Sequence, residues 1–383
     1  VGITFEQGKD KIAELVEYYS TNKAVFQAPG FKEAQACNLL IEPFFIALGW
    51  DVRNDSHVAP QYVEVVPQEA LDDDGHSKSP DYVFRVGQTP KFYTEAKKPA
   101  VNIKDDPGPA FQLRRYSWTA KLPLSILTNF AEFAVFECSM RPAFSDKAGK
   151  ARIWYFRFDE YPDRWREIWD IFSRDAVWAG KYDQFAGSKR GKRGTSTFDA
   201  EFLKEIEDWR ISLARNMALR NPALSSDDLN KAVQLTIDRV IFLRMAEDRG
   251  IEQYERLLKL VSKPDIYRRF IKDFCRPADS KYNSGLFHFD DEPGFKSEPD
   301  KLTPRLLVDD KVLKPILTGL YYPSPYAFKV MPVEILGNIY EQFLGKVIRL
   351  TKGHQAKVEQ KPEVRKAGGV YYTPDYIVGY IVK

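Results

Sequence analysis

Residues 91–99 read KFYTEAKKP. In extended backbone, successive side chains alternate between faces, so Tyr93, Glu95 and Lys97 share one face while Phe92, Thr94, Ala96 and Lys98 share the other. A carboxylate and an ammonium two residues apart fit either a solvated edge strand or a site that holds a metal and a water. Upstream, Pro80-Asp81 opens the stretch DYVFRV, and the GQTP between the two stretches carries the Gly and Pro that turns favour. A hairpin centred near 88–89 sets Asp81 opposite about residue 96, and so beside Glu95. Two carboxylates that close repel each other unless a cation lies between them. Mg²⁺ suits such a pair, because it takes carboxylate oxygens, keeps several waters and accepts a phosphate oxygen. Lys97 can orient or help deprotonate a water and offset charge on a pentacovalent phosphate. The chemistry suited to Asp81, Glu95 and Lys97 is phosphodiester hydrolysis, with Asp81 and Glu95 as the metal ligands.

The surrounding elements must hold this set in place. A polar helix to about residue 28 is followed by a second, FKEAQACNLLIEPFFIALGW, whose Leu39, Leu40, Phe44, Phe45 and Leu48 mostly share a face. Pro43 is expected to kink it and Gly49 to stop it. YVEVVPQ, DYVFRV and KFYTEAK read as strands, PAFQLRRYSWTAK as a helix, and LPLSILTN and EFAVFEC as two more strands joined at Asn129-Phe130. Residues 151–186 are aromatic-rich and mixed, with a helix around RWREIWDIFS.

At 187–196 the chain becomes GSKRGKRGTS, an exposed linker by composition; contact with phosphates is its lesser reading. Helical periodicity follows. KAVQLTIDRVIFLRMAEDRG is expected as an amphipathic helix and VEILGNIYEQFLGKVI as another, with loops over 275–303 between them. GHQAKVEQKPEVRK reads as a polar loop. The final AGGVYYTPDYIVGYIVK looks like the opening of a further domain, so the chain is expected to be part of something longer.

Bulk properties exclude several classes. The chain has 383 residues, enough for two or three domains, and a net charge of only +3, so any positive surface for nucleic acid must be local. Cys37, Cys138 and Cys275 lie far apart without a CxxC, which argues against disulfide frameworks and zinc knuckles. The scattered His57, His76, His288 and His354 form no HExxH. There is no apolar run of membrane-spanning length and no signal-peptide pattern, which suggests a soluble cytoplasmic protein without membrane partners. No GxxxxGK[ST] phosphate loop is present, so no ATP-driven motor is expected.

Pro80-Asp81, thirteen residues, then Glu95-Ala96-Lys97 resembles the PD-(D/E)xK nuclease signature. The preceding helix with Glu33 looks like the first core helix of restriction nucleases of this type. Gln112 and Tyr116 match their QxxxY element and, one helical turn apart, can face one groove. At the other end, GGVYYTP at 368–374 resembles the first S-adenosylmethionine-contacting motif of N6-adenine DNA methyltransferases. The run from DAEFLKEIEDWR to KPEVRKAGGVYYTP resembles the helical connector of Type IIG restriction–modification enzymes. The resemblance implies an α/β (α+β) restriction-endonuclease-like domain with a central mixed sheet at 1–186, the linker at 187–196, an all-α connector at 197–352, and the start of a methyltransferase domain at 353–383.

The same resemblance implies Mg²⁺ as cofactor, with Mn²⁺ as substitute, and a 5′-phosphate product. Glu33 is either a carboxylate near the metal or a helix-face charge, and Gln112 and Tyr116 are supporting residues. Arg114 and Arg115 are candidates for contact with the DNA backbone. Tyr371, Tyr372, Thr373 and Pro374 would touch S-adenosylmethionine only in an intact parent. Double-stranded DNA is the expected partner, with the parent's methyltransferase and target-recognition domains or an associated subunit. Cutting both strands would take two copies or two events. No NPPY motif and no glycine-rich loop follow, so this chain is not expected to methylate. The rival readings are a catalytically silent DNA-binding or scaffold module, and a nuclease of another DNA-processing system with the same core.

Overall fold

The computed structural model describes residues 2–67, 79–189, 197–282, 284–291, 298–332 and 345–360. The chain divides into two compact units: Val1–Phe198 with Pro325–Val330, and Asp199–Ser324 with Met331–Lys383.

The first unit opens with α1 (Phe5–Thr21), α2 (Lys23–Phe26), α3 (Glu33–Ala36) and α4 (Glu42–Ala47). Thr4 caps α1 by accepting from the Gln7 amide, and Gln7 returns a bond to the Thr4 amide. Between α3 and α4, residues Cys37–Ile41 form a wider π turn, in which the Glu42 amide reaches back to the Cys37 carbonyl. This widened turn directly precedes Pro43, whose ring nitrogen has no hydrogen to donate. Leu40, Phe44, Phe45 and Leu48 are buried as expected, whereas Leu39 is 42% exposed and belongs to the other side. Gly49 ends the run with a left-handed φ of +87°, conformational freedom that glycine supplies at low steric cost.

Strands β1 (Val65–Pro67), β2 (Tyr82–Val86) and β3 (Thr89–Ala96) precede α5 (Pro107–Thr119), which is followed by β4 (Leu124–Thr128), β5 (Glu132–Glu137) and β6 (Arg152–Arg157). The six strands lie in sequence order in one sheet. Only β3 and β4 are parallel, joined through α5; every other neighbouring pair is antiparallel. α6 (Tyr161–Phe172), α7 (Arg174–Trp178) and α8 (Lys181–Lys189) complete the unit, and α8 carries helix through the first three residues of the expected linker. Residues 190–196 lie outside the described part.

Two apolar cores flank the sheet. One joins α1, α4 and α6 to Phe84, Phe92, Ile126, Phe133 and Val135. The other joins Leu113 and Tyr116 of α5 to Tyr93, Leu127, Ala134 and Phe136. The alternation of KFYTEAK therefore has a physical meaning: Phe92 and Ala96 enter the first core, and Tyr93 faces α5. Phe84 and Phe92, paired across β2 and β3, stack with centroids 4.6 Å apart, and Trp50 meets both edge-on.

In the second unit, α9 (Phe198–Arg220, its first residue counted with the first unit), α10 (Ser226–Asp248), α11 (Ile266–Arg269), α12 (Arg276–Tyr282) and α13 (Asp310–Thr318) are followed by a hairpin of β7 (Lys346–Leu350) and β8 (Ala356–Gln360). The all-α expectation fails at this hairpin. The helical period of VEILGNIYEQFLGKVI does not continue through Lys346–Ile348, which is strand; residues 333–344 lie outside the described part. The side chain of Asn230 both accepts from the Ile348 amide at 2.8 Å and donates to its carbonyl at 2.7 Å, so both backbone groups of this strand residue are satisfied from α10. The polar segment after 352 likewise contains β8 rather than loop alone, and α12 lies inside the expected loop region. α10 is not amphipathic as expected. It buries Asp238, Arg239, Arg244, Glu247 and Asp248, with Arg239 bonded to Asp300 at 2.8 Å and Arg244 2.6 Å from Asp248.

Candidate active site

The site begins with a registry effect. Val86 pairs with Thr89 across the two-residue turn Gly87-Gln88, and Arg85 pairs with Pro90, but Phe84 pairs with Phe92. Lys91 is therefore an extra residue, a β-bulge. Beyond it Tyr82 pairs with Thr94, and one further step along the ladder sets Asp81 against Glu95. Without the bulge Asp81 would oppose Thr94, on the other face of the sheet. The sequence expectation centred the turn near 88–89 and so placed Asp81 near residue 96; the turn sits at Gly87-Gln88, which alone would set Asp81 against Thr94, and the bulge brings it to Glu95.

Asp81 is oriented by the Ala96 amide, which donates to its Oδ2 at 2.7 Å. Glu95 is fully buried in an interior strand, which rules out the solvated edge strand. Lys97 donates to Glu95 Oε1 at 2.6 Å, while Glu95 Oε2 is buried with no hydrogen-bond partner among the described residues. The Lys97 backbone is anchored by its amide, which donates to the Thr128 carbonyl at 2.9 Å, tying the end of β3 to β4. Glu33 Oε2 lies 3.9 Å from Lys97 Nζ, so the π-turned helix does bring its carboxylate to the cluster, half exposed.

The electrostatics are those of carboxylates held out of water. Burial, then the neighbouring Asp81 charge, pushes Glu95 up to about 8 against the partial offset of Lys97. Burial pushes Asp81 up to about 6, opposed by Lys97 and the Ala96 amide. For Lys97, burial favours loss of the proton, but Glu95, Asp81 and Glu33 together outweigh it and hold the ammonium above its ordinary value. Lys97 is thus a charged donor here rather than a base.

The donor set fits a divalent cation of the Mg²⁺ type. It offers two neighbouring carboxylates, one with an orphaned buried oxygen, at a site where protons are otherwise taken up. Among the described residues no group of three or more His, Cys, Asp and Glu side chains forms a closed cage. An open site that keeps waters and takes a substrate phosphate needs only one or two carboxylates.

Gln112 and Tyr116 meet on α5, Nε2 to hydroxyl at 3.5 Å, with Tyr116 buried. The Tyr116 hydroxyl is held above its ordinary value by burial first and then by the Glu95 charge, which places it within electrostatic reach of the site. Lys98 turns away, as its place in the alternation requires, and donates to the Pro29 carbonyl.

Arg114 and Arg115 are corrections. Arg114 is 1% exposed and pairs with Asp146 at 2.8 Å. Arg115 is 8% exposed and donates to the Tyr326 carbonyl, where residues 325–330 pack on α5. Both guanidiniums hold the unit together and neither is presented to a phosphate backbone. Cys37 was missed: its thiol sits with Tyr82, Asp81 and Glu33, and burial pushes it up to about 12. The signal was its spacing of four from Glu33 on one helix. Tyr371, Tyr372, Thr373 and Pro374 lie outside the described residues.

Comparison with known proteins gives one sequence relative. The chain is 33% identical over 378 residues to the Type II restriction enzyme and methyltransferase RM.Eco57I of Escherichia coli, a match over 98% of this chain and 37% of that protein. The chain therefore spans little more than a third of the relative's length. No protein-family model matches. Among solved structures, the type IIG restriction endonuclease BpuSI aligns over 73% of this chain and 28% of its own at 14% identity, with a TM-score of 0.18 that carries no argument about fold.

Proposed function

We propose that this homologue of a restriction enzyme and methyltransferase is a divalent-metal-dependent DNA endonuclease of the PD-(D/E)xK kind, the cleaving portion of a Type IIG-like restriction–modification protein. The observation that carries the reading is the division of labour at Glu95: Oε1 accepts from Lys97 and Oε2 is buried, beside Asp81, with no hydrogen-bond partner among the described residues.

Asp81 and Glu95 would hold Mg²⁺, or Mn²⁺ in its place. The cation, when bound, supplies positive charge that polarises the scissile phosphodiester. Asp81 is pre-oriented for this by the Ala96 amide. Lys97, kept charged by its acidic neighbours, donates to the attacking water and to phosphate oxygens, where negative charge grows as the phosphorus becomes pentacovalent. Burial of Glu95 and Tyr116 keeps bulk water from competing for these donors. Glu33 adds a third carboxylate at the rim, within reach of Lys97. Double-stranded DNA is the substrate. Methyl transfer is not proposed for this chain.

The test is incubation of the chain with supercoiled plasmid in Mg²⁺, Mn²⁺ or chelator, beside Glu95→Ala and Lys97→Ala. Nicking that requires metal, disappears in Glu95→Ala and is strongly slowed in Lys97→Ala supports the reading. Full activity in Glu95→Ala sinks it. Binding without nicking in any metal would favour the silent DNA-binding module instead.

A further inference from the structure

With Arg114 and Arg115 turned inward, other cations must meet the phosphates if the nuclease reading holds, and the present inference rests on that reading for its ligand. Two adjoining depressions of the first unit share Lys104 and Asp105 in their walls. The nearer one begins at Pro99, two residues beyond Lys97, and also takes in Lys23 and Arg157. The farther one runs along the segment between β5 and β6, past Lys147, Lys150 and Arg152.

The charge balance of this groove is set by what its acids already do. Glu132 accepts from the Ile103 amide and Asn129 with one oxygen and from the Tyr155 hydroxyl with the other. Asp146 is engaged by Arg114 and the Ala143 amide. Asp105 accepts from Asn102. The cations are less committed. Lys104, Lys147 and Lys150 are exposed, and among the described residues none of the three forms a salt bridge. Arg152 and Lys104 both lie over the Tyr155 ring, at 5.0 and 5.6 Å, and Arg152 also donates to the Lys104 carbonyl, which fixes the junction of the two halves. A chain of net charge only +3 thus carries a local group of six cations along two depressions, the nearer of which is lined by Pro99, two residues from Lys97 in the chain.

We infer that this groove, from Pro99 past Lys104 to Lys147 and Lys150, is the track for the phosphodiester backbone of duplex DNA, and that Lys104, Lys147 and Lys150 are positioning residues that set the duplex against Lys97. Cations along a groove neutralise successive phosphates and release counterions, so their contribution is read in the salt dependence of binding.

The experiment measures binding of a labelled DNA duplex to the whole chain in chelator, at 50 and 200 mM salt, for the parent, Lys104→Ala, Lys147→Ala/Lys150→Ala and, as control, Lys11→Ala on the exposed side of α1. The double variant is expected to bind more weakly at low salt and to lose about tenfold less affinity than the parent between the two salt concentrations, from a slope of about 0.9 per phosphate contact. Lys104→Ala should follow in the same direction, and Lys11→Ala should match the parent. A double variant with the parent's affinity and slope overturns the inference. So does a parent that binds anionic phosphatidylserine vesicles but no duplex. The plasmid assay on the same proteins separates the two claims. Metal-dependent nicking lost in Lys97→Ala, with unchanged binding in the groove variants, removes the groove and keeps the nuclease. Weakened binding in the groove variants with no nicking in any metal does the reverse.

Discussion

Lys97 Nζ lies 2.6 Å from Glu95 Oε1, while the other oxygen of the same carboxylate is buried and has no hydrogen-bond partner among the described residues. A buried carboxylate that satisfies one oxygen and leaves the other bare is an arrangement with a desolvation cost and no structural return. On the proposed reading it is a half-built coordination shell. Removing the lysine and removing the carboxylate should therefore have different consequences for the apo fold, and both should impair cleavage.

Lys97→Ala removes a charged donor from the site. Single-turnover plasmid nicking is expected to slow by on the order of 10²–10³-fold, the range seen when one pre-organised donor is deleted. Glu95→Gln, nearly isosteric, should abolish metal-dependent nicking while leaving the circular dichroism spectrum unchanged. Equal rates in parent and Lys97→Ala would remove the lysine from the chemistry.

The stability of the metal-free chain should depend on pH with an unusual sign. Glu95 is held at about 8 in the folded state against an ordinary 4.5, and Asp81 at about 6 against 3.8. Between the ordinary and folded values the native state binds protons that the unfolded state does not, so stability falls as pH rises through that window. Urea midpoints in chelator, taken from pH 5 to 8.5, should drop for the parent relative to Glu95→Gln. Mg²⁺ should shrink the difference by replacing the protons. A parent and Glu95→Gln that run parallel across this range, with and without metal, would contradict it.

Arg114→Ala should cost stability rather than DNA affinity. The guanidinium is buried on α5 and its partner Asp146 is 21% exposed, so the stranded carboxylate can regain water and the loss should sit near about 3 kcal/mol, the low end for a broken buried pair. The urea midpoint should fall while duplex affinity of the remaining folded protein stays at the parent value. A loss of affinity with unchanged stability would return Arg114 to the DNA surface.

Asn230→Ala should loosen the β7–β8 hairpin from α10. Two backbone bonds to Ile348 are lost at once, each leaving a polar group to find water, for a cost of about 1–3 kcal/mol. Hydrogen exchange at the Ile348 amide should accelerate in the variant, with exchange in β3 and β4 unchanged. Protection of Ile348 at the parent level would show that Asn230 is not what holds its amide.

Much of the site was legible in the residues. KFYTEAK alternates because one face enters an aromatic core and the other faces α5, and an eight-residue strand bounded by a Gly turn and by Lys-Pro shows that period without a structure. The carboxylate pair, the lysine and the QxxxY helix are local patterns, and local patterns survive in sequence because each depends on spacing within one element. The succession of strands and helices along the chain was legible for the same reason, whereas their order within the sheet comes from the structure.

What depended on contacts between distant segments was not legible. The bulge at Lys91 that puts Asp81 on the face of Glu95 is a pairing event between two strands, and neither strand's composition announces it. Arg114 and Arg115 look like surface cations in a helix of ordinary polarity; only Asp146, 32 residues away, and the Tyr326 carbonyl, 211 away, turn them inward. The strand at Lys346–Leu350 contradicts the helical period before it because Asn230 supplies the backbone bonds that a strand needs. Residue types and spacing determined which groups could do the chemistry. Burial and long-range pairing, which set each group's dielectric and its partners, decided which of them face the site and in what charge state.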